Sequence, residues 1–228
     1  MTDSIPYELD DLLDDRNRAL HAEVASQARI VLQRSVDHTW GEHSTRLEVT
    51  ISVAPSKAPQ ASFAHELLHA KLELEGWRRP RIIPAKPETF EVVAYLYNQL
   101  AHWRMYPDFE RMGYPASQFL NDRDSDEIRS LLKRDIPTVE SLYAPARRPL
   151  GGLLVALPFI ASQSPHQEIS GNLHLLKRLH RVSDAHLLRD ISLLLREVQG
   201  DSGSDVVEVF TRLFHLCGQP EVRFRPAF

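Results

Sequence analysis

Residues 64–70 read Ala-His-Glu-Leu-Leu-His-Ala, and no other stretch restricts the fold as strongly. The H-E-x-x-H spacing gains chemical meaning on a helix, where residues four apart lie on one side, one turn above each other. There His65 and His69 can hold one metal ion together. Glu66 lies about 100° further round and can reach a water on that ion. The ion polarises the water and the carboxylate takes its proton. The flanks bear on whether this helix is buried. Phe63, Leu67, Ala70 and Leu74 form an apolar stripe opposite the histidines, and Leu72 and Gly76 continue the histidine side. A helix apolar on both faces is buried. Two histidines and a glutamate on it need partners, which a metal supplies and a plain exposed helix does not. The helix is expected over residues 61–75, stopped by Gly76.

Composition narrows the class. The chain has 228 residues, enough for one large domain or two small ones. Its formal net charge of −4, with no dominant basic block, gives no expectation of nucleic-acid binding. A single cysteine, Cys217, rules out an internal disulfide framework and a cysteine-based zinc site. The start of the chain carries no basic region followed by an apolar run. The most apolar window, residues 150–161, is too short to span a bilayer. A cytoplasmic protein without a membrane segment is expected.

Periodicity organises the rest. Residues 7–34 repeat apolar positions at three, four and seven and read as a helix, with a polar connection to follow over 36–44. Residues 46–53 alternate, with Leu47, Val49, Ile51 and Val53 on one face, and read as a half-buried strand. Its free edge is expected to offer main-chain pairing to an extended substrate. Residues 77–87 form an irregular linker with a short extended piece at Ile82-Ile83. A second long helix starts at Pro87 and runs to Trp103, almost wholly apolar except for a stripe of Glu88, Glu91, Tyr95, Asn98 and His102. Residues 105–121 are aromatic and turn-rich. Short helices are expected over 128–134 and, with leucine stripes, over 172–181, 184–198 and 205–217, the last capped by Ser204 and stopped by Gly218. The expected fold class is α+β and predominantly helical. It has a small sheet beside the H-E-x-x-H helix in a core of residues 1–121, and a helical bundle over residues 122–228, unless the two form one continuous domain.

Catalytic zinc takes three protein ligands and keeps one open position. Leu72 and Glu75 stand where a metzincin would carry its glycine and third histidine, so the third ligand is sought further on. Glu73 and Glu75 share the first helix and cannot fold back. A carboxylate from the second helix can approach at a crossing. Glu91 is preferred to Glu88 because it lies deeper in that helix and is followed by Ala94, which permits close approach.

His65-Glu66-x-x-His69, followed by a helix that begins Glu88-Thr-Phe-Glu91-Val-Val-Ala94, resembles the gluzincin type of zincin metallopeptidase and, more loosely, its ImmA/IrrE branch. The resemblance covers about residues 45–105. Leu68 replaces a glycine common in that branch, and Lys71 an apolar residue common in zinc peptidases. The resemblance implies a zincin-like core, a Zn2+ ion held by His65, His69 and Glu91, Glu66 as general base, and a protein or peptide substrate. His102 and Tyr95, on the stripe of Glu91, are the candidate donors to the oxyanion. Two rival expectations stand beside it: a zinc hydrolase of non-peptide substrates, and a helical interaction or regulatory protein whose metal site is structural or vestigial.

Overall fold

The computed structural model describes residues 5–83, 87–119, 160, 185–200 and 204–226, and the side chains of these except at 87–91, 185 and 200. Within them the fold is α+β and mostly helical, with small sheets. The helices expected over 128–134 and 172–181 and most of the apolar window lie outside the described residues. The chain divides into two compact units, Met1–Trp77 with Met105–Asp124, and Arg78–Arg104 with Ser125–Phe228.

The first unit opens with α1 (Leu9–Leu12) and α2 (Arg18–Ala25), then β1 (Arg29–Arg34), β2 (Gly41–Ser44) and β3 (Glu48–Val53). The single long helix expected over 7–34 is therefore broken. Asn17 is fully buried and ties the break, its Nδ2 donating to the Leu12 carbonyl at 2.8 Å. The run from Ile30 to Leu32 is a strand because β1 pairs in parallel with β3, Ile30 opposite Val49 and Leu32 opposite Ile51. The polar connection at 36–44 ends in β2, which pairs antiparallel with β3. The sheet order is β1-β3-β2. Thus β3 is central, and the free edge expected on it belongs to its neighbours. Val49, Ile51 and Val53 are fully buried, as the alternation requires. Leu47 precedes the strand and is 80% exposed instead of joining that face.

Next comes α3 (Pro59–Leu74), entered with a proline in its first turn. Gly76 adopts φ 97°, its N–H reaches the Glu73 carbonyl at 3.1 Å, and the Trp77 N–H reaches the Leu72 carbonyl at 2.9 Å. This paired termination needs a left-handed residue, which glycine supplies without a Cβ clash. Phe63, Ala64, Leu67 and Ala70 are fully buried, and Ala61, Leu68 and Leu72 nearly so. Burying Phe63 alone is worth about 1.5–3 kcal/mol.

The second helix, α4 (Pro87–Arg111), is longer than expected and carries Pro107 inside it. Tyr106-Pro107 is helix, not turn. The fully buried Phe109 lies beyond the proline and stacks at 5.2 Å on Tyr114, and this packing offsets the backbone bond the proline removes. Tyr114 donates to Asp14 at 2.8 Å, and the Arg16 guanidinium sits 3.9 Å from the centre of its ring. A short 3-10 turn at Ala116–Gln118 closes this part.

In the second unit, β4 (Arg81–Ile83) includes the expected Ile82-Ile83 piece and pairs antiparallel with β5 (Arg223–Arg225), a strand the periodicity did not reveal. Helices α5 (Ala185–Gly200) and α6 (Val206–Leu216) match the last two leucine stripes. The α6 cap is Asp205, whose carboxylate accepts the Val207 N–H at 2.7 Å, rather than Ser204. Phe224 of β5 packs on Phe210 and Phe214, with ring centres 5.5 and 4.8 Å away.

Candidate metal centre

Because His65 and His69 are one turn apart on α3, the helix itself aims both rings at one point. Their Nε2 atoms lie 3.1 Å apart and their ring centres 4.9 Å apart. Two nitrogens bound tetrahedrally to one zinc, at bonds of about 2.0–2.1 Å, stand about 3.3 Å apart. The pair is thus held close to the spacing a single ion demands. The Phe119 ring lies 4.8 Å from that of His65 and limits its rotation. His65 and Glu66 are each 5% exposed.

His102 of α4 is 1% exposed. His65, His69 and His102 each offer a ring nitrogen within 4.8 Å of the others, close enough to hold a metal ion. The donor set suits zinc, whose usual ligands include imidazole. Ligation requires the neutral ring. The His69 imidazole is enclosed, although the residue as a whole keeps some exposure, and burial pushes it down to about 4. At neutral pH its lone pair is therefore available.

The remaining candidates sit on α4. Tyr95 is half-buried, two turns before His102 on the same face. Glu91 and Glu88 lie in the first turns of the helix, where side chains are outside the described residues.

Two further groups escaped the sequence reading. Gln99, 4% exposed, lies three positions before His102, and its Oε1 is buried without a hydrogen-bond partner among the described residues. A glutamine in an apolar run was the available signal. Glu42 of β2 is opposite Ile51 in register, so it shares the sheet face of the core. Burial pushes its carboxyl up to about 8; the Ser44 hydroxyl, which donates to it, pulls the other way, and the Glu73 charge adds to the rise.

A cleft of about 520 Å³ elsewhere in the first unit is lined in part by Glu23, Lys71, Asp108 and Arg111. These charges are spent on each other, Lys71 with Glu23 at 2.9 Å and Arg111 with Asp108 at 2.8 Å. Among the described residues, no helix is long and apolar enough to cross a membrane. Set against known proteins, the chain matches no family model, no curated protein and no solved structure.

Proposed function

We propose that this chain is a zinc-dependent hydrolase of peptide bonds, with a zincin-like core and a helical C-terminal bundle. His65, His69 and His102 would hold the ion and Glu66 would act as general base. The observation that carries this reading is the imidazole pair, 3.1 Å apart on a buried helix and next to a buried carboxylate. His102 is the α4 candidate for the third ligand among the described residues, and Glu91 and Glu88, whose side chains lie outside them, remain the alternatives.

When bound, the ion supplies a Lewis acid that lowers the pKa of water and polarises a carbonyl. Glu66 accepts a proton from the attacking water as its oxygen bonds to the carbonyl carbon. The same carboxyl then delivers that proton to the departing nitrogen as the C–N bond breaks, so Glu66 ends unchanged. Tyr95 is the remaining candidate on the α4 face to donate to the developing oxyanion. A peptide substrate is favoured by the sheet. β2 pairs with β3 alone among the described strands, so its outer main-chain groups can bind an extended chain beside α3.

The test is metal analysis of purified protein, followed by a chelator-sensitive cleavage assay on an unfolded protein and on matched small amides and esters. Glu66→Gln should keep the zinc and lower turnover about 10²–10⁴-fold. Full turnover in that variant removes the mechanism. Zinc-dependent cleavage of the esters alone would move the substrate away from peptides.

A further inference from the structure

The β4–β5 ribbon, which lies wholly in the second unit, carries charge where stability gains nothing from it. In each strand the middle residue, Ile82 or Phe224, is buried and its neighbours are exposed. Alternation therefore puts Arg81, Ile83, Arg223 and Arg225 together on the outward face. The register sets Arg81 directly opposite Arg225, and Ile83 opposite Arg223. Like charges directly opposite each other destabilise a strand pair, and an anion beside them relieves the repulsion. Arg223 and Arg225 have no ion-pair partner among the described residues. The Arg223 guanidinium is steadied by donating to the Pro220 carbonyl at 2.7 Å.

The strand edge indicates what kind of anion fits. β5 pairs with β4 alone among the described strands, so its other edge can take an extended chain. Along a strand laid beside β5, side chains on one face repeat every two residues, or about 6.8 Å, as Arg223 and Arg225 do. Carboxylates at alternate positions therefore fall next to the two guanidiniums, whose forks match a carboxylate in bidentate fashion. A nucleic-acid strand has the charge but no amide main chain to pair with the edge, and the chain's net charge of −4 opposes a long polyanion.

We propose that the outer edge of β5 docks an extended acidic segment of a partner protein, with carboxylates at alternate positions meeting Arg223 and Arg225. Arg81 adds its positive charge from the neighbouring strand. Main-chain pairing supplies the register and the arginines supply the selectivity. Docking of this kind needs no metal ion.

The experiment is fluorescence anisotropy on the full chain with a dye-labelled peptide that alternates glutamate with valine or threonine. At low salt the peptide should bind, and its affinity should fall as salt is raised. A peptide with glutamine in place of glutamate should bind about tenfold more weakly, and so should one N-methylated on alternate main-chain amides. The double variant Arg223→Gln with Arg225→Gln should lose about tenfold in affinity for the glutamate peptide. It should melt at or above the temperature of the unaltered chain, since the opposed pair of like charges has been removed. A glutamate peptide that does not bind, or that binds the double variant as tightly, overturns the proposal. So does a marked fall in the variant's melting temperature, which would give the arginines a structural role. Indifference to N-methylation, or tighter binding of a single-stranded oligonucleotide of equal charge, overturns the peptide as occupant and the proposal with it.

Discussion

Helices α3 and α4 both present buried imidazoles, but the information that places them differs in kind. On α3 the two histidines are four residues apart, so one turn of backbone sets their 3.1 Å spacing. On α4 no local spacing marks His102. It stands within 4.8 Å of the pair only because of tertiary structure. A metal centre of this sort thus has a rigid half written in a heptad and a half that depends on packing. The two should fail differently when altered.

The largest effect should come from breaking the rigid half. His65→Ala or His69→Ala removes one jaw of a preformed chelate, and zinc affinity should fall more than about 100-fold, beyond the 10–100-fold typical of outer-shell partners. His102→Ala leaves the preformed pair intact, so affinity should fall less than in either of those variants. Competition with a chromophoric chelator measures all three. If His102→Ala proved as damaging as His69→Ala, the halves would be equivalent and the contrast between local and tertiary encoding would lose its basis.

The same contrast explains what the sequence made legible. The end of α3 could be read from Gly76, and the buried face of β3 from Val49, Ile51 and Val53, because helix stops and alternation are local signals, whereas its start at Pro59 lies two residues before the one expected. The split of α2 from β1 was hidden, since a short run such as Ile30-Val31-Leu32 suits either element until β3 pairs with it. β2 was hidden as well. Gly-Glu-His-Ser has little strand character, and its pairing with β3 alone makes it a strand. In the site, His65, Glu66 and His69 were visible as a motif. His102 was singled out for the site from the polar stripe of its helix, although no local pattern says how near the pair it stands.

A second effect, of intermediate size, probes the environment of α3. The folded chain holds the Glu42 proton up to about pH 8, whereas a free carboxyl releases it near 4.5. Between those values the folded state carries a proton that the unfolded state has lost, so this group's stabilisation declines as pH rises through the window. Glu42→Gln abolishes the titration and keeps an acceptor for the Ser44 hydroxyl. Relative to the unaltered chain, the variant should gain about 3 kcal/mol between pH 5 and pH 8 in metal-free denaturant titrations. His69 acts in the opposite direction. Its lowered pKa lets the unfolded state bind a proton first, so its contribution is lost as pH falls from 6.5 toward 4. Both proteins share His69, so their difference isolates Glu42. A constant difference across this range would mean that the carboxyl titrates normally.

The smallest effect should come from loosening the tertiary half without touching a ligand. Trp103, next to His102, donates its Nε1 hydrogen to the Leu195 carbonyl of α5 at 2.7 Å. Trp103→Phe keeps most of the apolar ring and deletes that bond, for a loss of about 1 kcal/mol in stability. If tertiary packing governs where His102 stands, zinc affinity should fall with it, by about tenfold at most, the lower end of outer-shell effects. A control at the end of α3, Gly76→Ala, strains a residue at φ 97° and costs a similar amount, about 1–2 kcal/mol. It leaves the one-turn spacing of the imidazole pair unaltered, so zinc affinity should hold in that variant. Equal losses of affinity in both would show that general stability, rather than the anchoring of α4, controls the centre.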